Sequence, residues 1–124
     1  MGTQARLKAC EATSATLNLV DEALLTRTAI TPGTIDSVAP PIAIPAGDAR
    51  LAKLTAALRG LALEPAKLPR FELKLRLTVY CADGGTLTLL GSPTGQDGRL
   101  DLSIDGEAVS THTPLRRELE ALAR

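Results

Sequence analysis

The most regular stretch of the chain alternates apolar and polar residues from position 71 to position 82. The apolar positions share one parity: Phe71, Leu73, Leu75, Leu77, Val79 and Cys81. Alternation of this kind is typical of a half-buried strand, with one face toward a core and the other toward solvent. Segments 86–91, 99–104 and 107–112 continue the pattern, and an Asp-Gly pair precedes each of them. Because Asp-Gly is a strong signal for a tight turn, we predict a four-stranded antiparallel meander over residues 71–112.

Apolar residues recur every three or four positions in three other segments, which predicts helices. These helices cover residues 5–27, 48–60 and 114–123. Asp48 is a favourable N-terminal cap for the second helix, and Gly60 is a favourable stop. The first helix is rich in Thr and Ser, which have low helix propensity, so we expect tertiary packing to hold it.

Between the first two helices lies a proline-rich segment, residues 30–47. Five residues in it oppose a helix: Pro32, Gly33, Pro40, Pro41 and Pro45. We predict an extended crossing in which Ile42 and Ile44 form a short edge strand, with a mobile linker as the alternative.

The order of these elements predicts the fold class. At 124 residues the chain has the size of one domain, residues 1–124. Helices and strands are segregated along it, which indicates an α+β fold rather than alternating β-α units. We therefore predict a four-stranded antiparallel meander in the C-terminal half, with two or three helices packed on one face. The other face is expected to be polar or to serve partners.

Turn chemistry sets the expected register of the sheet. A three-residue loop at 83–85, with Gly85 in the left-handed conformation, places Cys81 opposite Leu87 and keeps apolar residues together. At the other hairpin, a two-residue turn at Asp105-Gly106 pairs Leu102 with Val109. The same register turns His112, the single histidine, toward solvent while Cys81 faces the core.

Composition and charge narrow the range of functions. Fourteen basic residues balance fourteen acidic ones, and aromatic residues make up 2% of the chain. A nucleic-acid-binding surface or an aromatic sugar cleft is therefore not expected. The sequence has no apolar run long enough to span a membrane, so no membrane partner is expected. The start lacks the apolar core of a signal peptide. That favours the cytoplasm, with a secreted or periplasmic location as the alternative if a leader has been removed.

Cys81 has three interpretations. It is a buried structural thiol, one half of a disulfide with Cys10, or a nucleophile activated by His112. A Cys10–Cys81 bond would close a loop of about 70 residues and stabilise the fold by roughly 4 kcal/mol, but only in an oxidising compartment. The predicted register separates Cys81 from His112, which weighs against the catalytic interpretation.

No cofactor or metal is expected from the remaining motifs. Asp97, Asp101 and Asp105 lack the spacing of a calcium loop and are predicted to be solvated charges on the outer face of a strand. The glycine-rich segment 91–98 lacks the Lys-Ser or Lys-Thr of a phosphate-binding loop and is interpreted as a long hairpin connection.

These observations favour a small, non-enzymatic interaction domain that uses a free sheet face, an edge strand or a hairpin loop. The predicted contact residues for a protein partner, including a second copy in a homodimer, lie in the hairpin loop and on the outer face: Ser92, Pro93, Thr94, Gln96, Lys74, Arg76 and Tyr80. One alternative is a secreted or periplasmic inhibitor or immunity-type protein with a Cys10–Cys81 disulfide. Another is a cysteine-dependent enzyme that uses Cys81 and His112.

Overall fold

The fold is that of a computed structural model, which describes residues 2–21, 24, 29–67, 71–93 and 99–123. The helices of this part of the chain are α1 (Thr3–Ala9), α2 (Ile35–Val38), α3 (Arg50–Arg59) and α4 (Leu115–Ala123). Its strands are β1 (Ala12–Leu19), β2 (Ile42–Ile44), β3 (Glu64–Pro65), β4 (Leu75–Cys81), β5 (Thr86–Pro93), β6 (Leu100–Ile104) and β7 (Glu107–Thr111).

The strands form one sheet in the order β2-β1-β4-β5-β6-β7-β3, and each neighbouring pair is antiparallel. The predicted α+β class and antiparallel sheet are confirmed. The predicted meander corresponds to β4 through β7, the middle of a wider sheet. Three further strands, β1, β2 and β3, extend it at both sides.

The prediction of a helix over residues 5–27 is wrong for most of its length. Helix α1 ends at Ala9, and residues 12–19 form β1, which pairs with β4 from Ala12 to Leu19. Ala15 and Leu17 face the core while Ser14 and Thr16 are only half-buried, which is a period of two and not of 3.6. Thr favours an extended backbone, and β4 supplies the neighbouring strand with which an extended segment forms its backbone hydrogen bonds.

The β6–β7 hairpin confirms the predicted two-residue turn. Leu102 pairs with Val109, and Leu100 pairs with Thr111. Asp105 and Gly106 at the turn have φ angles of 48° and 90°. Both residues are in the left-handed region, as a tight turn compatible with strand twist requires.

The β4–β5 hairpin corrects the predicted register by two residues. Leu87 pairs with Val79 instead of Cys81, and the Cys81 N–H donates to the Gly85 carbonyl at 2.8 Å. The loop is therefore 82–84, and Gly84 takes the left-handed conformation, with φ of 88°. A shift of two residues keeps every side chain on its face, so the apolar pattern alone could not separate the two registers.

One face of the sheet carries the main core, covered by α1, α3 and α4. Helix α3 buries Leu51, Leu54 and Leu58, and α4 buries Leu115, Leu119 and Leu122, so the apolar residues spaced three or four apart form the buried faces of both helices. The N-cap of α3 is Ala49 and not the predicted Asp48. Asp48 lies one residue earlier, and its Oδ1 accepts the N–H of Arg50, the first residue of the helix, at 2.9 Å.

The opposite, outer face is partly covered by residues 29–39. A second buried cluster lies there, formed by Val20, Ile35, Ala39 and Leu73. Residues 35–38 form the single turn α2, which corrects the expectation that prolines exclude a helix from residues 30–47. This turn lies between Pro32 and Pro40 and contains no proline itself. The short strand predicted at Ile42 and Ile44 is confirmed as edge strand β2.

Candidate functional site

Cys10 and Cys81 form a disulfide, with their Cα atoms 5.1 Å apart. Cys10 directly follows α1, and Cys81 ends β4 opposite Ala12 of β1. Of the three interpretations of Cys81, the structure therefore supports the disulfide with Cys10. A disulfide sulfur is not a thiolate, so the nucleophile that a cysteine-dependent enzyme needs is not present in this form.

His112 lies far from Cys81. Strands β5 and β6 separate β4 from β7, which corresponds to about 14 Å across the sheet. Along the strands the two residues are also at opposite ends, because Cys81 adjoins the β4–β5 turn and exposed His112 follows the last residue of β7. The structure does not bring the predicted catalytic pair together.

Arg76 was predicted to be a solvated contact residue on the outer face, and it instead fastens the segment that covers this face. Its Nη2 lies 2.6 Å from Asp36 Oδ1, and its Nη1 donates to the Pro32 carbonyl at 2.8 Å. Its Nε donates to Asn18 Oδ1 at 3.1 Å, and buried Asn18 in turn donates to the Ala39 carbonyl. This network, here called the Arg76 clamp, comprises Arg76, Asn18 and Asp36.

Lys74 and Ser92 are also engaged by the chain itself. Lys74 is buried, and its Nζ donates to the Leu24 carbonyl. Ser92 is buried as well, and its Oγ accepts the Glu72 N–H at 2.9 Å. The outer face, which was expected to be solvated, is therefore enclosed at Lys74 and Ser92. The chain around Leu24 contacts Lys74, and Glu72, which precedes β4, contacts Ser92.

The structure describes only residues 91–93 of the predicted hairpin loop at 91–98. Its first three residues belong to β5, which runs to half-buried Pro93. Thr94 and Gln96 lie outside the described residues, and so does Asp97. Their predicted roles stay predictions.

Asp101 corrects the expectation of solvated acidic residues on the outer strand face. It is 6% exposed and stands between Ser92 and Ser110 on the neighbouring strands. Its Oδ1 forms no hydrogen bond but lies 3.5 Å from Arg99 Nε, an ion-pair distance that supplies the compensating charge. Within the described ranges, no group of three or more His, Cys, Asp or Glu side chains is placed to hold a metal ion.

Among the predicted contact residues that the structure describes, Tyr80 is the most open to solvent, at 48% exposure. Its direct neighbours across the sheet are Ser14 of β1 and Thr86 of β5. The adjacent row of the same face contains Thr16, Thr78 and Thr88. These six uncharged residues form what we call the Tyr80 face: Ser14, Thr16, Thr78, Tyr80, Thr86 and Thr88. It is the part of β1, β4 and β5 that residues 29–39 leave uncovered.

The two edges of the sheet are poor sites for strand addition. Edge strand β2 has three residues and is flanked by Pro41 and Pro45. The other edge strand, β3, has two residues, one of which is Pro65. Short edges with prolines resist pairing with another chain, so the geometry favours a face of the molecule over an edge.

A groove between α3 and α4 has no counterpart in the sequence-based predictions. Its volume is about 390 Å³, and its lining consists of Lys53, Ala56, Ala57, Glu118 and Leu122. The signal that could have indicated it is the alanine content of the solvent face of α3, where an isolated surface helix usually carries long polar side chains.

Comparison with known proteins gives no relative: no protein-family profile, curated protein or solved structure matches the chain. In the described part of the chain, no helix has the length and apolar character needed to cross a membrane.

Proposed function

We propose that this protein is a non-enzymatic protein-binding domain and that the Tyr80 face contacts its partner. The observation that carries the proposal is the exposure of Tyr80 on β4, a strand paired on both sides and therefore rigid. A rigid, exposed tyrosine presents a large contact area at a small loss of conformational entropy.

The surroundings of Tyr80 indicate the kind of partner. Serine and threonine hydroxyls donate and accept hydrogen bonds, and the threonine methyl groups add apolar contact. Charged residues are depleted at the centres of protein interfaces, and Tyr is enriched there. An uncharged protein surface with exposed hydrogen-bonding groups fits the Tyr80 face better than a nucleic acid or an acidic membrane, which would require basic residues.

The disulfide favours an oxidising compartment as the place of action. Bonds of this kind persist in secreted and periplasmic proteins and are reduced in the cytosol. A secreted or periplasmic location is therefore proposed in place of the cytoplasm that the start of the sequence favoured. It also agrees with the inhibitor-type alternative, for which the hairpin loop at 91–98 would be the segment that enters the cleft of an enzyme. Residues 94–98 of that loop lie outside the described residues, so the Tyr80 face carries the proposal.

Site-specific photo-crosslinking tests the proposal. The oxidised full-length protein carries p-benzoylphenylalanine in place of Tyr80, and a matched protein carries it in place of Lys8, an exposed residue of α1 on the opposite side of the sheet. After irradiation in an extract of the native host, we expect a discrete protein adduct from position 80 and none from position 8.

The isolated partner then gives a quantitative check. Tyr80→Ala should weaken its binding about tenfold or more, as truncation of an interface tyrosine commonly does, while Lys8→Ala should leave binding unchanged. Identical adducts from both positions, or equal affinities of the two alanine variants, would reject the Tyr80 face as the binding surface.

A further inference from the structure

The α3–α4 groove carries two opposite charges that have no partner among the residues the structure describes. Lys53 lines it from α3 and Glu118 lines it from α4, and both are exposed. In the described part of the chain, neither forms an ion pair or a side-chain hydrogen bond, whereas Arg116 and Glu120 on the same helix pair at 3.0 Å. Between the two charges the floor is apolar, formed by Ala56, Ala57 and Leu122.

The two helices run antiparallel. Arg50, the first residue of α3, donates from Nη1 to the Leu122 carbonyl near the end of α4 at 2.9 Å. Beyond the other end of α3, the Ala62 N–H donates to Thr113 Oγ1 at 3.4 Å, just before α4 begins. Interpolation between these contacts places Lys53 and Glu118 within about one helical turn of each other along the groove, roughly 5 Å.

We propose that this groove is the interface of a homodimer whose two-fold axis runs parallel to the groove. Rotation about that axis places α3 of one copy over α4 of the other. Lys53 then faces Glu118 of the second copy, and the same pair forms again by symmetry, as in any isologous interface. The side chain of Lys53 is long enough to span the remaining offset of about one turn.

Packing and charge both fit a second copy. Ala56 and Ala57 leave room for the helices of the other copy to approach closely, because alanine adds little to the radius of a helix. The chain has a net charge of zero, so two copies do not repel each other as wholes. A partner of one charge sign would satisfy either Lys53 or Glu118, whereas a second copy satisfies both.

The exposed area of α3 and α4 determines how strong a dimer we expect. Helix α3 has 10 residues and α4 has 9. Each helix is therefore about 15 Å long and about 10 Å wide, which gives roughly 300 Å² of planar surface per copy. This is below the roughly 800 Å² of accessible surface per partner of a standard interface. We therefore expect a weak, reversible dimer that dissociates on dilution.

Sedimentation velocity across a concentration series tests the dimer with a charge swap. The variants Lys53→Glu and Glu118→Lys should each raise the dissociation constant about tenfold or more, because each places like charges opposite one another. The double variant Lys53→Glu/Glu118→Lys should restore dimerisation to within a few-fold of the wild type, since the swapped charges pair again.

Two exposed residues outside the groove provide matched controls. Lys8→Glu and Glu11→Lys change the net charge by the same amounts and should leave the dissociation constant unchanged. Ala56→Arg, at an exposed helical position that tolerates a long side chain without unfolding, should abolish the dimer while leaving the thermal midpoint of the diluted protein near that of the wild type.

A wild-type protein that stays monomeric at every concentration would overturn the proposal, and so would a double variant as weak as the single ones. These outcomes are separate from those for the Tyr80 face. Crosslinking at position 80 is on the outer side of the sheet, opposite α3 and α4, and it does not depend on the groove.

Discussion

Arg76 occupies an outward position of β4, and Lys74 directly precedes this strand at the same parity, for which alternation predicts exposure to solvent. Both are nevertheless enclosed, because residues 29–39 and Leu24 fold over this half of the sheet and accept their hydrogen bonds. Tyr80, at the same parity but nearer the turn, stays open. The alternation therefore predicted the face of each residue, and only the path of a distant segment decided its exposure.

The Arg76 clamp gives a prediction at the residue scale. Arg76→Ala should lower the free energy of unfolding by about 2 kcal/mol, because Asn18 and Asp36 lose a charged donor in a half-buried setting. Hydrogen exchange of the amides in 31–39 should accelerate more than that in β6. Chemical denaturation and exchange mass spectrometry measure the two effects.

Exposed Lys8 serves as the comparison, since Lys8→Ala is expected to change stability by less than about 0.5 kcal/mol. Uniform acceleration of exchange in Arg76→Ala, without a larger effect on 31–39, would contradict a local clamp.

At the scale of elements, β1 shows how a local pattern can support two structures. Leu17, Val20 and Leu24 follow a helical spacing, whereas Ala15, Leu17 and Leu19 follow a period of two. The propensity of Thr favours the strand. Pairing with β4 is what makes this segment a strand, since β1 pairs with one edge of β4 over seven residue pairs.

The start of α3 gives a prediction about acid stability. Side-chain hydrogen bonds from Arg50 lower the pKa of the Asp48 carboxyl from 3.8 to about 2. A carboxyl whose pKa is lowered by folding stabilises the fold above its unfolded pKa, and this stabilisation is lost as the pH falls through the folded pKa. We expect the contribution of Asp48 to decline between pH 3.8 and about 2.

The variant Asp48→Asn keeps an acceptor for the Arg50 N–H but carries no charge. Its thermal midpoint should lie below that of the wild type at neutral pH, and the difference should shrink as the pH approaches 2. Thermal melts of both proteins over this range measure the convergence. A constant difference at every pH would show that Asp48 acts only as a hydrogen-bond acceptor.

At the scale of the whole molecule, the disulfide joins parts of the chain that are 71 residues apart in sequence. It links the end of α1 to the end of β4, so that β1, α2, β2, α3, β3 and β4 lie within the closed loop. In the chain-entropy account, a crosslink over a loop of this length stabilises the fold by about 4 kcal/mol, mainly by restricting the unfolded state.

The double variant Cys10→Ala/Cys81→Ala should therefore unfold with a free energy about 4 kcal/mol lower than that of the oxidised wild type. Guanidinium denaturation with and without reductant measures this. Reductant should lower the stability of the wild type and leave that of the double variant unchanged. A wild type that is equally stable when reduced would contradict a structural role for the bond.

The sequence by itself determined the α+β class, the antiparallel strands β4 to β7, the parity of the residues in these four strands, and helices α3 and α4. Periodicity and turn chemistry are local, so residues within one segment suffice to specify them. For the same reason the Asp105-Gly106 turn was predictable with its register.

The tertiary structure decided the rest. It converted residues 12–19 to a strand, selected one of two parity-equivalent registers after β4, and closed the bond between Cys10 and Cys81. It also left Tyr80 open and created the α3–α4 groove. Each of these depends on contacts between segments far apart in the chain, whose free energies exceed local preferences and are not encoded in any one window of sequence.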